Sequence, residues 1–444
     1  MPESAALAPA KAVNPDKGST IDLYLGDFLI SPIPLELSLN FCSHLCHVCF
    51  ANLGNPERTA NVPGIMAQLA RVPRGKGLDS LLMRSGYPVL ISNRVDPFAN
   101  SNYKQALPIM ETMTEQGIPF TIQTRGGRGI DEVLAFAPPS VWYVSVCTLD
   151  DVLRKELEPG APTTESRFEL IQRLKEAGHR VVLGLNPAVP EWCPEPAALL
   201  ERAKAAGAEG VWTDPLHLSK RLADRISDKG KAAVTLPLIQ RAQQRRLAPE
   251  DERCAQAVID AAAALGMPSF SVGQWKPSGF FDPFTETYGA ECLFPTMQDF
   301  LNACWEHLDH GDVLTFDDFA DFFCPWLPEG KWPISRYIAA KFHDFLNENR
   351  VPSSMTYREL LAIVWSEPRF SQCPARLPCF AYAGQRTADN KGWIKFVDER
   401  GLPFLVFSRD EKGFDDYFAP AEVVPDIHGI AGESEVNILI PIDA

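Results

Sequence analysis

Short apolar runs alternate with amphipathic stretches over residues 34–215. The apolar runs are rich in β-branched and aromatic residues, which favour strands, and the stretches between them have helical spacing. Strands are predicted at 34–40, 87–93, 118–124, 141–147, 180–186 and 209–213. Helices are predicted at 64–84, 102–117, 130–136, 163–177 and 196–206. This alternation predicts parallel strands with packed helices, either as an open doubly wound sheet or as an incomplete barrel.

The alternation ends near residue 280. Further helices are predicted at 296–308, 316–324, 334–348 and 356–365, and strands at 379–384, 393–399, 403–408 and 437–442. The segment 393–407 predicts a hairpin that turns near Arg400 and Gly401. We therefore predict an α/β protein, a partial (β/α)6 TIM-like barrel with a C-terminal α+β domain. The predicted regions are a flexible segment 1–20, a barrel core 21–279 and the C-terminal domain 280–444.

The charge of the chain is unevenly distributed. The 444 residues are 45% hydrophobic and 22% charged, as in globular proteins, and the net charge is −15. Residues 1–270 hold 28 Lys and Arg against 30 Asp and Glu, whereas residues 271–444 hold 14 against 27. The acidity argues against bulk coating of nucleic acid, but the nearly neutral barrel region is compatible with local contact to DNA.

The apolar runs and the cysteines indicate a compartment. No run approaches the roughly 18 apolar residues of a membrane span, and the N-terminus lacks the basic start and apolar stretch of a signal peptide. The 11 cysteines are an odd number scattered along the chain. These features predict a cytoplasmic protein with free thiols and no membrane partner.

Three cysteines follow the first predicted strand at C-x3-C-x2-C spacing: Cys42, Cys46 and Cys49. At the cysteine frequency of this chain, about 0.007 such matches are expected by chance. Three thiolates on one loop can bind one metal centre, and three ligands to a [4Fe–4S] cluster leave one iron open. The alternative is a structural zinc site that combines the three cysteines with His44 or His47.

The triplet after the first strand of a (β/α)6 pattern resembles the radical S-adenosylmethionine superfamily. The resemblance implies that Cys42, Cys46 and Cys49 hold a [4Fe–4S] cluster whose open iron binds the amino and carboxylate groups of S-adenosylmethionine. It also implies reductive cleavage of that cofactor to methionine and a 5′-deoxyadenosyl radical. The electron would come from a donor of the flavodoxin or ferredoxin type.

A narrower resemblance is carried by four stretches, SNRVDPF, IPFTIQTRGG, VSVCTLDD and LEPGAPTTESRFELIQRLKEAGHRVVLGLNPAVP. They are similar to the spore photoproduct lyase-like branch of that superfamily. Its members act on thymine-derived lesions in DNA, and phage relatives are associated with rearranging modified thymidines during DNA hypermodification. The resemblance therefore implies an isomerase or lyase whose substrate is DNA or a thymine-derived nucleotide. For a phage-encoded chain the compartment would be the host cytoplasm.

The resemblance also implies contacts to S-adenosylmethionine at the strand ends. Asp96 would accept a hydrogen bond from the methionine ammonium, Arg167 would face the carboxylate, and Asn186 would meet the ribose or adenine. Turn residues and an exposed helix residue are the alternatives. The predicted cofactor-binding residues are Ser92, Asp96, Thr124, Ser145, Arg167 and Asn186. Beyond Thr124, Arg125 and Arg128 are candidates for contact with a phosphate, or members of a surface loop.

Two departures from the resemblance affect the expected reaction. Val48 stands where the superfamily usually has an aromatic residue, and the second strand lacks the hydrogen-donating cysteine of the repair lyase. Cys147, at the end of the fourth strand, is a candidate replacement donor, or else a small buried strand residue. These departures favour a rearrangement over lyase repair. A radical enzyme for a small molecule or peptide, and a zinc-stabilised interaction protein, are the alternative functions.

Overall fold

The computed structural model describes residues 21–23, 29–37, 39–47, 49, 60–91, 95–216, 249–271, 276–327, 329–333, 351–368, 370, 372–386, 392–410 and 440–441. Four predicted features lie outside the described residues: Ser92, Val48, the segment 1–20 and the helix at 334–348. No helix of the described part is long and apolar enough to span a membrane.

Eight strands form the main sheet, and their order in space is their order in the chain. They are β1 (Ile21–Leu23), β2 (Leu35–Leu37), β3 (Val89–Ile91), β4 (Phe120–Thr124), β5 (Val141–Ser145), β6 (Arg180–Ala188), β7 (Gly210–Pro215) and β8 (Ser269–Phe270). β1 is antiparallel to β2, and the pairings from β2 to β8 are parallel. Because the order never reverses, the sheet is not doubly wound, and it is compatible with the predicted partial barrel.

Helices connect these strands where the sequence predicted them, with three exceptions, one of which is the unpredicted last helix of the barrel region. They are α1 (Val62–Arg71), α2 (Leu78–Arg84), α3 (Tyr103–Glu115), α4 (Ile130–Phe136), α5 (Asp151–Leu157), α6 (Thr164–Glu176), α7 (Pro196–Ala206) and α8 (Pro249–Ala264). The predicted helix at 64–84 is two helices, because Pro73 stops the first one. α5 was not predicted, although Asp150 caps it by accepting hydrogen bonds from the amides of Val152 and Leu153.

The two faces of the sheet differ in what they pack against. Residues such as Ile122, Val144 and Leu183 pack under the helices, whereas alternate residues face the concave side. At the amino ends of the strands this concave side is filled by an aromatic floor, which consists of Trp212, Phe270, Phe280, Phe281 and Phe284. The carboxyl ends of the strands, where function is expected, remain clear of this floor.

The segment that supplies most of the floor follows the last strand of the sheet. Its helix α9 (Asp282–Tyr288) contacts β5 and β6. The Tyr288 hydroxyl donates to the carbonyl of Phe120 at 2.7 Å and accepts from the amide of Val141 at 2.9 Å. These two residues begin β4 and β5, so the segment 278–293 belongs structurally with the barrel. The predicted boundary at residue 279 stays a prediction.

The C-terminal region combines helices with small antiparallel sheets. The helices are α10 (Met297–His307), α11 (Phe316–Phe323) and α12 (Tyr357–Ser366), each with a capping box at its start. The strands are β9 (Val313–Leu314), β10 (Trp332–Pro333), β11 (Ser354–Met355), β12 (Phe380–Tyr382), β13 (Gly384–Arg386), β14 (Gly392–Lys395), β15 (Leu405–Phe407) and β16 (Ile440–Pro441). They pair as β12–β15–β9, β13–β14–β16 and β10–β11.

The hairpin predicted for this region is present, but its two arms enter different sheets. Its turn closes with a hydrogen bond of 2.9 Å from the amide of Gly401 to the carbonyl of Asp398, and Gly401 has a φ of 80°. Hydrophobic side chains of this region share one cluster with those of the barrel helices. The two predicted units therefore have a continuous core.

Candidate functional site

The cysteine loop, Cys42 to Cys49, begins at the carboxyl end of the first parallel strand, β2. It is clamped against the turn that follows α5. The amide of His47 donates to the carbonyl of Leu157 at 2.8 Å, and the amide of Gly160 donates to the carbonyl of His44 at 2.9 Å. The His44 ring adds a third bond, since its Nδ1 lies 2.9 Å from the carbonyl oxygen of Gly160. The turn thus determines the path of the cysteine loop.

Gly160 allows this close approach. A Cβ atom at this position would lie 2.3 Å from the carbonyl oxygen of Ser43 and 2.9 Å from the Cα of His44. Both atoms belong to the backbone, so a side chain at residue 160 would push the cysteine loop away. This contact explains the glycine in the LEPGAP stretch.

Asp96, in the loop after β3, joins the cysteine loop to two neighbouring loops. Its Oδ2 lies 3.2 Å from His44 Nε2, and both side chains are buried. The carboxylate also accepts hydrogen bonds from the amide of Phe98 at 2.9 Å, the amide of Arg125 at 2.6 Å and the hydroxyl of Thr124 at 2.9 Å. Four donors therefore occupy the lone pairs of one carboxylate.

The charges of this pair follow from its contacts. Burial alone lowers the pKa of an imidazole, but the charge and hydrogen bond of Asp96 outweigh burial and raise the pKa of His44. Burial alone raises the pKa of a carboxyl, but His44 and the amide donors outweigh burial and lower the pKa of Asp96. Both ring nitrogens of His44 face acceptors, which indicates an imidazolium.

Two residues that were predicted to contact the cofactor have internal partners, and their predicted cofactor contacts stay predictions. Asp96 was expected to accept from a cofactor ammonium, but its lone pairs are filled by internal donors. Thr124 was expected to contact the cofactor, but its hydroxyl donates to Asp96 and accepts from the amide of Gly126 at 2.7 Å. Both residues shape the loops. His44 is similarly occupied and cannot serve as a zinc ligand in this conformation.

Glu158, held in the sequence analysis only as part of the LEPGAP resemblance, lies between two arginines. Its Oε1 is 2.6 Å from Arg125 Nε, and its Oε2 is 2.5 Å from Arg167 Nη2. Burial would raise the pKa of this carboxyl, but the charges of Arg167 and Arg125 outweigh burial and hold the pKa at about 2. Glu158 is therefore a buried carboxylate that orients both guanidinium groups.

Arg167 has internal partners in the structure. It is 1% exposed, and its guanidinium donates to the carbonyls of Ser145 and Pro162 as well as to Glu158. In the structure Arg167 connects α6 to the end of β5. Its predicted cofactor contact stays a prediction.

Arg125 is the arginine of this pair that reaches the open side. Its side chain is 26% exposed and contacts Glu158 through Nε. In the described part of the chain, its two terminal nitrogens have no hydrogen bond. Burial raises the pKa of both Cys46 and Cys147, and the charge of Arg125 opposes this rise, so Arg125 lies close to the cysteine loop. The arrangement provides a fixed cation beside the thiols with donors available to an anionic group.

The cysteines of the triplet lie on one loop in largely buried positions. Cys42 and Cys46 are buried and Cys49 is partly exposed. Burial, with Asp96 nearby, raises the pKa of Cys42 to about 11, and burial raises the pKa of Cys46 well above its usual range. Within the described ranges, no group of three or more His, Cys, Asp or Glu side chains is arranged to hold a metal ion. The donors fit an iron–sulfur cluster in chemistry, since three thiols share one short loop beside a cation.

Cys147, Ser145 and Asn186 meet where β5 and β6 end. The Cys147 sulfur lies 3.9 Å from Ser145 Oγ and 3.7 Å from the carbonyl oxygen of Asn186. Burial and Glu158 raise the pKa of the Cys147 thiol to about 11, so it keeps its proton at neutral pH. The carboxamide of Asn186 has no hydrogen bond within the described residues.

The chain has relatives among curated proteins, although no family model matches it. It is 26% identical over 171 residues to the uncharacterised protein ORF301 of Acidianus two-tailed virus. It is 29% identical over 199 residues to the uncharacterised protein Rv2578c of Mycobacterium tuberculosis. These matches cover 34% and 40% of this chain, and the chain spans only 56% of the length of each relative.

Two solved structures are similar to part of this chain at low TM-scores. One is spore photoproduct lyase complexed with dinucleoside spore photoproduct, at 13% identity and a TM-score of 0.37, over 48% of this chain and 63% of that one. The other is Streptococcus suis SuiB bound to S-adenosylmethionine, at 16% identity and a TM-score of 0.32, over 46% of this chain and 49% of that one. Likeness at this level establishes neither the activity nor the ligands of this chain.

Proposed function

We propose that this chain is a radical S-adenosylmethionine enzyme that rearranges or cleaves a thymine-derived group in DNA. The observation that carries the proposal is the C-x3-C-x2-C triplet on the loop after the first parallel strand of a sequentially ordered sheet. The loop is clamped by Gly160 and by the His44–Asp96 pair, and it lies beside a cation with available donors. A catalytic metal centre needs this combination of fixed ligands and one open side.

Cys42, Cys46 and Cys49 would hold a [4Fe–4S] cluster with one open iron. When bound there with S-adenosylmethionine, the cluster supplies one-electron reduction of the cofactor and so a 5′-deoxyadenosyl radical. Arg125 offers its terminal nitrogens to an anionic group beside the loop, and Asn186 offers its carboxamide at the end of β6. Asp96, Thr124 and Arg167 hold the loops that carry the cysteines and Arg125 in position.

Cys147 would act as the hydrogen donor of the reaction, and the thiyl radical left on its sulfur would take one electron from the flavodoxin or ferredoxin type partner and one proton from solvent to restore the S–H bond. Cys147 lies at the carboxyl end of β5, and its buried thiol keeps the S–H bond that donation of a hydrogen atom requires. Burial also shields such a thiol from side reactions with solvent. The proposed reaction is an isomerisation or a lyase step, in a cytoplasmic enzyme supplied with electrons by a flavodoxin or ferredoxin type partner.

Anaerobic reconstitution with iron and sulfide tests the proposal. The full chain should bind about four irons and, once reduced, release 5′-deoxyadenosine from S-adenosylmethionine. Cys46→Ala should lose both the iron and the cleavage. The matched control is Cys292→Ala, which removes a partly exposed thiol on the barrel's opposite end and should keep both. Cleavage that survives Cys46→Ala would refute the proposal.

Metal analysis separates the proposal from the zinc-stabilised alternative. One bound zinc, with no iron–sulfide absorbance after anaerobic purification, would favour an interaction protein. The release of 5′-deoxyadenosine should depend on DNA that carries modified thymine. If it depends instead on a peptide or a small molecule, the substrate belongs to that class and not to DNA. The site geometry argues against His44 as the fourth ligand of a zinc site, because both of its ring nitrogens are occupied, and leaves His47 as the ligand that the zinc alternative would need.

A further inference from the structure

Gln123 and Tyr143 form a polar pair on the concave face of the barrel. They are directly paired across β4 and β5, and residues paired in this way project from the same face of a sheet. Both side chains are partly exposed. Within the described residues, neither the Gln123 carboxamide nor the Tyr143 hydroxyl has a hydrogen-bond partner.

The ring of Tyr143 is held in a defined position. A Cβ atom at Gly184 would lie 2.1 Å from the Cζ of Tyr143, so the ring packs directly on the backbone of β6. Its other neighbour is Trp212, whose ring packs edge to face against it, with 6.4 Å between the ring centroids and 85° between the ring planes. The charge of Arg125 reaches its hydroxyl. The pair therefore lies between the aromatic floor and the proposed reaction centre.

Two other polar groups of the concave face already have partners. Asp214 accepts from the indole of Trp212 at 2.7 Å and from the hydroxyl of Ser271 at 3.0 Å. The hydroxyl of Thr121 donates to the carbonyl of Val141 at 2.7 Å. Polar groups without partners in such a recess reduce stability unless solvent or a ligand pairs with them. Gln123 and Tyr143 are thus available for a ligand.

We infer that Gln123 and Tyr143 bind the imide edge of a pyrimidine ring, with Asn186 contributing from the side. This inference rests on the proposed function and identifies the residues that would recognise the substrate of the proposed reaction. A carboxamide offers one donor and one acceptor side by side, which match the carbonyl and the N3–H of thymine or uracil. Aromatic rings nearby provide a flat surface for the base.

The position of the pair favours a base over a peptide. An extended peptide binds by pairing its backbone with the exposed edge of a sheet. Gln123 and Tyr143 lie on interior strands, whose backbone groups are paired on both sides. On this face only side chains are available to a ligand. Side chains alone can form the hydrogen bonds that recognise the edge of a base.

Binding of thymidine to the full chain, measured by calorimetry without reductant, tests the inference. The wild-type chain should bind thymidine about tenfold more tightly than N3-methylthymidine, in which the donor of the imide edge is blocked. Gln123→Leu should weaken thymidine binding about tenfold and remove this discrimination. Tyr143→Phe should weaken it less. The control Gln172→Leu changes an exposed glutamine of α6 and should behave like the wild type.

Three results would overturn the inference. They are equal binding of the two nucleosides by the wild type, full discrimination by Gln123→Leu with an unchanged circular dichroism spectrum, and no binding of thymidine at all. Because the measurement uses no reductant, each result stands whatever the deoxyadenosine assay shows. Failure of that assay in the wild-type chain would refute the proposed function instead.

Discussion

His44 Nε2 lies 3.2 Å from Asp96 Oδ2, and this buried contact joins the cysteine loop to the loop after β3. The same carboxylate accepts from the amide of Arg125 in the loop after β4. One side chain therefore holds together three consecutive loops at the carboxyl ends of the strands. The positions of the thiols relative to Arg125 depend on this carboxylate.

Asp96→Asn should destabilise the protein by about 3 kcal/mol, since removal of one member of a buried ion pair leaves the other charge unpaired. The NH2 group of the asparagine would also face groups that are themselves hydrogen-bond donors, the backbone amide of Arg125 or the hydroxyl of Thr124. Urea unfolding measures the loss, and hydrogen exchange should be fastest in the cysteine loop. Asp131→Asn, which breaks an exposed ion pair with Arg173, should change stability by less than about 1 kcal/mol.

Gly160→Ala should reduce the iron content of the reconstituted protein, because the new Cβ would displace Ser43 and His44. The comparison is Gly178→Ala. That glycine has a φ of 85° but open space around its Cβ position, so the substitution adds strain without touching the site. It should cost about 1 kcal/mol of stability and leave iron binding intact. Equal iron content in the two variants would contradict the clamp described here.

Glu158→Gln should change how stability depends on pH. The pKa of Glu158 is about 2 in the folded protein, against 4.5 for an ordinary glutamate. A carboxyl with a depressed pKa stabilises the fold above its unfolded pKa, and this contribution is lost as pH falls from about 4.5 to about 2. It amounts to about 3 kcal/mol. Thermal unfolding should therefore show a steeper loss of wild-type stability over this pH range than in the variant.

Cys147→Ala should separate formation of the radical from the final hydrogen transfer. The variant lacks the S–H bond beside Ser145 and Asn186, but it keeps the cysteine triplet and Arg125. With substrate present, 5′-deoxyadenosine should still form, while the ratio of products changes. Mass spectrometry of products made in deuterated water reports the change, because thiol hydrogens exchange with solvent. An unaltered product ratio and deuterium content would remove Cys147 from the reaction.

The strands β2 to β7 could be predicted from the sequence, whereas the short outer strands β1 and β8 were missed. β4, β5 and β6 coincide with predicted runs because each is a buried, β-rich segment between clear turn signals. Their parallel order places the strand ends together, so the cysteine loop and Cys147 were assigned to one face of the barrel. The spacing of apolar and polar residues within each segment is enough to predict these strands and the side of the sheet at which their ends lie.

The roles of individual polar residues could not be predicted in the same way. Asp96 and Arg167 are charged residues near strand ends, and the sequence does not say whether a ligand or another part of the chain satisfies them. The structure pairs both internally. Gln123 and Tyr143 were not singled out at all, although their alternation with Ile122 and Val144 marks them as residues of the opposite face. A search for polar residues on that face would have found them.

The aromatic floor implies an order of assembly during synthesis. The sheet is complete at β8, yet Phe280, Phe281 and Phe284, which cover its apolar hollow, are synthesised after β8. Until then Val182 and Phe270 face water, and the nascent sheet has an exposed apolar hollow that attracts other chains. A chain ending at residue 279 would remain in this state, which we expect to appear as aggregation in expression trials.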